Sequence, residues 1–336
     1  MRIIADAFGG DNAPKAIIEG CAKAAEKFGV DITLVGNEDA IKNCANECGI
    51  NVSSMEIIHT DGVISMHDDP KDVLKKKADS SMSVGLRALA AGEGDAFLSA
   101  GSTGALVLGS TFLVKRIKGI KRVAFGSEIP TVTGNRFFLM DEGANADCRP
   151  EMLLQFGIMS SLYMQHVLGI EKPRVGLLNI GTEDTKGGET QLAAYKLLKD
   201  SQLNFIGNVE ARELMNGVCD VAVADGFSGN ICLKAMEGTA MAMMGMLKTA
   251  FTSSAKTKLA AAMVMPQLKK IKSLMNYKEI GCAPIIGVKK PVFKAHGNSD
   301  AEAFCNAIGK CSAFVNAGIP QKLEQALKNE GSDNDE

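Results

Sequence analysis

Short apolar runs, each breaking off at a glycine-rich polar turn and giving way to a helical stretch, recur along this chain. The runs fall at residues 3–6, 32–36, 55–59, 96–99, 123–126, 137–141, 175–179, 205–207 and 221–224; helical spacing reads between them, for example at 14–27 and 150–168. Strands alternating with helices at this spacing predict a mainly parallel sheet covered on both faces, a three-layer α/β/α sandwich. In such a sheet the turns that follow the strands open at one edge, where ligands bind. No Pro/Ser-rich linker and no internal repeat divides the chain. Residues 1–328 therefore read as a single α/β domain with room for two lobes, and the acidic, polar residues 329–336 as a disordered tail.

Composition narrows the function classes. The 336 residues are 46% hydrophobic and 23% charged, which suits a soluble globular protein with a sizeable core. A formal net charge of −2 supplies no overall pull toward nucleic acid or an anionic membrane, so any basic surface has to be local. The nine cysteines include no CxxC pair, Cys44 and Cys48 have no matching pair or histidine cluster, and the four histidines are far apart. No metal site is expected, and the odd cysteine count favours reduced thiols that serve as small core residues. The chain enters a strand-like run at Arg2, which leaves no room for a targeting segment, and no apolar run approaches the ~20 residues of a spanning helix. The expectation is a cytoplasmic protein.

The polar turns carry the chemistry. Residues 181–189 (GTEDTKGGE) and 225–230 (DGFSGN) follow two of the strand-like runs; the first supplies Lys186, the second the neutral amide of Asn230. Both lie among glycines that let a substrate approach the backbone closely. An anion met by a cation and neutral donors, without metal ligands nearby, points to acyl or phosphoryl chemistry. Four further turns join them: Asp6, Gly9, Gly10 and Asp11 after the first run; Gly101, Ser102, Thr103 and Gly104; Asp141 and Asn145; and His296 and Ser299 before the last helical stretch. With Glu189, Asp225 and Gly229, these are the candidate substrate and phosphate contacts. Each turn taken alone also reads as a helix cap or a tight glycine turn, and His296 as a structural histidine. No GxGxxG and no GxxxxGK[ST] occurs, which disfavours a dinucleotide or P-loop site.

The motifs DAFGGD (6–11), SAGSTGAL (99–106), DEGAN (141–145), GTEDTKGGE (181–189), DGFSGN (225–230) and AHGNSD (295–300) stand in the order found in bacterial phosphate acyltransferases of the PlsX type. The chain strongly resembles that family over nearly its whole length. It departs at Phe8, where methionine is usual, at Ser102, where asparagine is common, and at Glu142, where a small or apolar residue is common. The resemblance implies a phosphotransacetylase-like or isocitrate-dehydrogenase-like fold and a homodimer at the cytosolic face of the membrane. It also implies transfer of a long-chain acyl group from acyl carrier protein to inorganic phosphate, with no cofactor. The acyl phosphate would feed a membrane glycerol-3-phosphate acyltransferase in phospholipid synthesis. The lysine and asparagine implicated in the family's catalysis fall on Lys186 and Asn230.

That reaction needs little nucleophile activation. The second ionisation of a phosphoester lies near pH 6, and a thiol of ordinary pKa about 8.5 is a tolerable leaving group. Positioning and charge stabilisation are the enzyme's task, and direct attack without an acyl-enzyme is expected. His296 is a candidate to protonate the departing thiolate. A phosphotransacetylase using a coenzyme A thioester, a small-molecule dehydrogenase and a non-catalytic membrane scaffold remain as alternatives.

Two surfaces read as partner contacts. Lys115, Arg116, Lys118, Lys121 and Arg122 place five basic residues within eight positions, either a solvated face or a landing site for an acidic carrier protein. Between residues 235 and 278 no strand signal appears, methionine is dense (Met236, Met241, Met243, Met244, Met246, Met263, Met265 and Met275), and lysines interleave. This segment reads as a helical pair in the core or a dimer interface, or as an exposed basic amphipathic surface for reversible contact with an anionic membrane. Pro266 is expected to kink or divide it.

Overall fold

The computed structural model describes the backbone of residues 1–274 and 281–332, and the side chains of 1–267 and 281–328. The strands are β1 (Arg2–Asp6), β2 (Asp31–Gly36), β3 (Glu56–His59), β4 (Ala96–Ser99), β5 (Ala124–Pro130), β6 (Arg136–Met140), β7 (Val175–Asn179), β8 (Phe205–Glu210), β9 (Val221–Val223), β10 (Cys282–Ile286) and β11 (Val292–Ala295). The helices are α1 (Lys15–Phe28), α2 (Glu38–Cys48), α3 (Ser81–Ala91), α4 (Thr103–Gly109), α5 (Pro150–His166), α6 (Glu189–Lys199), α7 (Ala211–Leu214), α8 (Gly226–Thr252), α9 (Ala255–Leu274), α10 (Ala301–Ala317) and α11 (Ile319–Ser332). This is the mainly parallel α/β architecture that the alternation predicts.

Contacts divide the chain into two compact units: Met1–Ser127, Ile158–Pro173 and Ile280–Glu336 in the first, Glu128–Gly157 and Arg174–Glu279 in the second. In the first unit the strand order is β3-β2-β1-β4-β11-β10-β5. β1 pairs in parallel with β2 and β4, and β4 with β11. Ile3, Ile4, Ala5, Phe97 and Leu98 are fully buried, as strands covered on both faces require. In the second unit the order is β6-β9-β7-β8, all parallel. Its core includes Phe137, Leu139, Val209, Leu214, Ala222 and Ala224.

The sequence pattern does not reveal β10 and β11. β10 runs antiparallel to both β5 and β11. It contains Pro284, which lies beyond Ile285 and Ile286, the two residues paired with β5, so its missing N–H breaks no bond to that neighbour. β11 carries Lys294 in a short run, which interrupts the apolar signal.

The methionine-rich segment is helical through residue 274, apart from a break between α8 and α9, and Pro266 does not divide it: α9 runs through that residue. The break comes at Ser253 and Ser254. The Ser254 hydroxyl accepts from Thr257 N (3.2 Å) while the Thr257 hydroxyl accepts from Ser254 N (3.0 Å), a reciprocal cap that starts a new helix. Placement in this chain's core holds only for the first part of α8, where Cys232 is buried and Leu233 and Met236 pack against the second unit's core. Met241, Met243, Met246, Leu259, Met263 and Met265 are exposed, Leu259 by 68% and Met263 by 77%. Met275 and Tyr277, and the side chains of Leu268, Ile271 and Leu274, lie outside the described residues. No described helix is long and apolar enough to cross a membrane. At the other end, α11 runs to Ser332, so the backbone of 329–332 in the expected tail is helical, and 333–336 lie outside the described residues.

Candidate active site

In the first unit three turns meet because β1, β4 and β11 are successive parallel neighbours. Asp6, at the end of β1, is buried and binds them together. Its carboxylate accepts from the Ser81 and Ser99 hydroxyls, each at 2.6 Å, and from Phe8 N at 3.3 Å. Gly9 lies so close to the β4 turn that a Cβ there would fall 2.8 Å from Gly101 N and 2.6 Å from the Asp6 carboxylate. Gly10 adopts φ 99°, and the next amide, Asp11 N, donates to Gly297 O at 2.8 Å. The Asn12 amide donates to Asn298 O and Ser299 O, each at 3.1 Å, and locks the β11 turn to the β1 turn. Lys294 donates to Ala100 O (3.2 Å) and to Ala295 O, tying the β4 turn to β11.

Several expected phosphate contacts are braces in this arrangement. Asp6 is an inward-facing carboxylate that organises the turns, and negative charge is a poor match for phosphate. Ser102 caps α4, its hydroxyl accepting from Ala105 N at 3.5 Å. Buried Ser299 donates to His296 O at 2.7 Å. Thr103 is half-buried, and Gly104, Asp11 and His296 are exposed on the surface of these turns. Ser81, Asn12 and Lys294 escape sequence reasoning. Of the three, only Lys294 leaves a trace, a charge inside a strand.

In the second unit β9 stands between β6 and β7, so their turns emerge side by side. Asp141, fully buried, accepts from Gly143 N (3.3 Å), Ala144 N (3.1 Å), Asn145 N (2.7 Å) and the Asn145 amide (2.9 Å). Asn145 O in turn accepts from Gly226 N at 2.7 Å. A Cβ on Gly229 would lie 2.0 Å from Asp141 O, so the two turns touch backbone to backbone. Asp225 caps α8 through Ser228 N (2.7 Å) and also accepts from the Ser228 hydroxyl (3.1 Å). Asp141, Asn145 and Asp225 thus shape the turns with the side chains expected to contact substrate. The Asn230 amide donates to Glu142 O at 2.8 Å, using one of its two N–H groups. Lys186 lies exposed on the loop after β7, its ammonium 4.0 Å from the Glu183 carboxylate, and Glu189 is exposed at the start of α6. The Cys148 thiol donates to Asn145 O (3.6 Å), and burial pushes its pKa up to about 12, which disfavours a thiolate there.

A family model described as "Fatty acid synthesis protein" matches residues 1–322. The phosphate acyltransferase of Bacillus licheniformis is 46% identical over 329 residues, covering 98% of both chains. That of Bacillus subtilis is 44% identical over 335 residues, covering 99% of this chain and all of the relative. The chain belongs to the phosphate acyltransferase family. Among solved structures, a phosphotransacetylase from Streptococcus pyogenes superposes with a TM-score of 0.64 at 16% identity, covering 94% of each chain. A branched-chain phosphotransacylase from Enterococcus faecalis superposes at 0.56 and 14%, covering 94% of this chain and 99% of the other. These show the shared fold.

Against the family pattern, the three departures have local accounts. The Phe8 ring lies on Gly36, where a Cβ would fall 2.3 Å from it. Ser102 keeps a capping oxygen at the start of α4. Glu142 is buried and presents its backbone carbonyl to Asn230.

Burial pushes the Asp6 carboxyl above the ordinary aspartate range, against the lowering pull of Ser81, Ser99, Phe8 N and the Lys294 charge. A raised folded value means that the unfolded chain releases this proton first. The stabilising contribution is therefore full below the ordinary aspartate pKa of about 3.9 and is lost as pH rises through the folded value. Asp6→Asn removes that titration. The urea midpoint of the natural protein minus that of Asp6→Asn should fall as pH rises above about 4 and then level off. A difference that is flat with pH would show that Asp6 does not titrate in this way.

Proposed function

We propose that the protein transfers a long-chain fatty acyl group from acyl carrier protein to inorganic phosphate by direct attack of phosphate on the thioester. The observation that carries this reading is the placement of Lys186 and Asn230 on the turns of β7 and β9, adjacent parallel strands, within a chain related throughout its length to phosphate acyltransferases. A phosphate oxygen attacks the thioester carbonyl, the C–O bond forms, the C–S bond breaks, and the pantetheine thiolate leaves. Lys186 holds the dianion and offsets charge on the tetrahedral oxyanion, and the second Asn230 N–H donates to one of them. The high Cys148 pKa argues against an acyl-enzyme at that residue.

The product is apolar at one end and prone to hydrolysis, so release beside the bilayer favours capture by a membrane glycerol-3-phosphate acyltransferase. The protein then works as a cytoplasmic homodimer that touches the inner face of the membrane reversibly. The exposed apolar residues of α8 and α9, with Lys256 and Lys258 exposed beside them, suit that contact. The basic cluster at 115–122 suits the acidic carrier. Lys115, Arg116, Lys118, Lys121 and Arg122 are exposed while Ile117 and Ile120 anchor the segment. Arg116 also holds the segment together, donating to Ile120 O (3.3 Å) and Lys121 O.

Lys186→Ala and Asn230→Ala should each cut phosphate-dependent loss of palmitoyl thioester from acyl carrier protein by about a hundredfold or more without unfolding the chain. Near-natural turnover in both folded variants would refute the site, and faster turnover with a coenzyme A thioester would favour the phosphotransacetylase-like alternative. Reversing Lys118 and Lys121 to glutamate, sparing Arg116, should raise KM for acyl carrier protein and flatten its salt dependence. An unchanged KM at low ionic strength removes the cluster from the interface. Leu259→Glu with Met263→Glu should abolish co-sedimentation with anionic liposomes while leaving activity on soluble carrier substrate largely intact. Retained liposome binding would rule out this face, and dissociation of a dimer would assign it to subunit contact.

A further inference from the structure

The loop that carries Lys186 has neither helix nor strand of its own between β7 and α6. Its backbone is held from below by side-chain amides. Asn208 on β8 is buried, at 5% exposure, and its Nδ2 donates to Glu183 O at 2.7 Å. Asn179, the last residue of β7, donates from Nδ2 to Lys186 O (3.0 Å) and to Asn208 Oδ1 (3.1 Å), while its Oδ1 accepts from Ile180 N (2.8 Å). Gly187, at φ 98°, passes so close that a Cβ would lie 2.9 Å from Asn179 Oδ1. At the far end of the loop Gln191 Oε1 accepts from Gly188 N (3.2 Å), and its Nε2 reaches Asp225 Oδ2 at 3.5 Å. Asp225 is the cap of α8, the helix that carries Asn230.

Two sets of hydrogen bonds, linked through the loop backbone between Lys186 and Gly188, therefore join β8, the Lys186 loop and the first turn of α8. Their side-chain links to the loop are neutral. A carboxylate beneath this loop would repel a phosphate dianion and a second ammonium would compete with Lys186, whereas an amide supplies donor and acceptor together without net charge. We infer that Asn179, Asn208 and Gln191 are positioning residues: they set Lys186 relative to Asn230 and do not touch the substrate. The inference rests on the reading of Lys186 and Asn230 as the reacting-site pair.

The test uses the full-length protein with two readouts, amide hydrogen exchange across 181–191 and steady-state kinetics with palmitoyl-loaded acyl carrier protein and inorganic phosphate. Asn208→Leu removes the bond to Glu183 O. It should speed exchange of the loop amides about tenfold and lower kcat roughly ten- to hundredfold, with KM for the carrier unchanged. Gln191→Leu, at a half-buried position on α6, gives an independent reading if Asn208→Leu fails to fold. Gln191→Glu adds a pH signature. Ionised, it repels Asp225; protonated, it again donates, so its defect should shrink toward acid pH while that of Gln191→Leu does not. Unchanged exchange in folded Asn208→Leu and Gln191→Leu overturns the proposal. Faster exchange with unaltered kcat also overturns it, since the amides would then order a loop without placing a reacting group. Lys186→Ala in the same assay separates the two failures: if it is inactive the site reading stands alone, and if it is active that reading falls first.

Discussion

A parallel strand leaves the sheet with backbone groups that its neighbours no longer satisfy, and every parallel strand beside it does so at the same edge. Buried groups of that kind have to find partners. In each unit of this protein a buried aspartate supplies them. Asp141 accepts three consecutive backbone amides and a side-chain amide. Asp6 accepts two hydroxyls and an amide. The close backbone contacts at Gly9 and Gly229 rest on these two carboxylates, because turns so near one another leave no volume for a larger side chain.

This arrangement separates structural charge from chemical charge. The carboxylates that build the turns face inward and are consumed by hydrogen bonds, whereas Lys186, on the loop after β7, lies exposed beside the exposed carboxylates of Glu183 and Glu189. The exposed lysine is held through its backbone: the neutral amide of Asn179 donates to Lys186 O, and that of Asn208 to Glu183 O three residues earlier.

The nine strand-like runs read from sequence all became strands with ends shifted by at most a few residues; central strands such as β4 are apolar because both faces are covered, while the edge strand β3 keeps Glu56 and His59 exposed around its two isoleucines. β10 and β11 stayed hidden since Pro284 and Lys294 are tolerable only where particular neighbours leave a gap or offer a carbonyl. Pro266 misled in the opposite direction. The reciprocal cap of Ser254 and Thr257 ends one helix and begins another before the proline is reached.

The order of the turns, and with it the family and the placement of Lys186 and Asn230, is determined by the sequence alone, since each motif is contiguous and its glycines and polar residues declare a turn. What each turn residue does was decided by the tertiary structure. Asp6, Asp141, Asn145 and Asp225 look like ligands in one dimension and are braces in three, while Ser81, Asn179, Asn208 and Gln191 carry no motif and hold the loops in place. A side chain's role depends on which partner lies within about 3 Å of it. For Asn208 and Glu183, or Ser81 and Asp6, that partner comes from a distant point in the chain, brought near only when the parallel strands align.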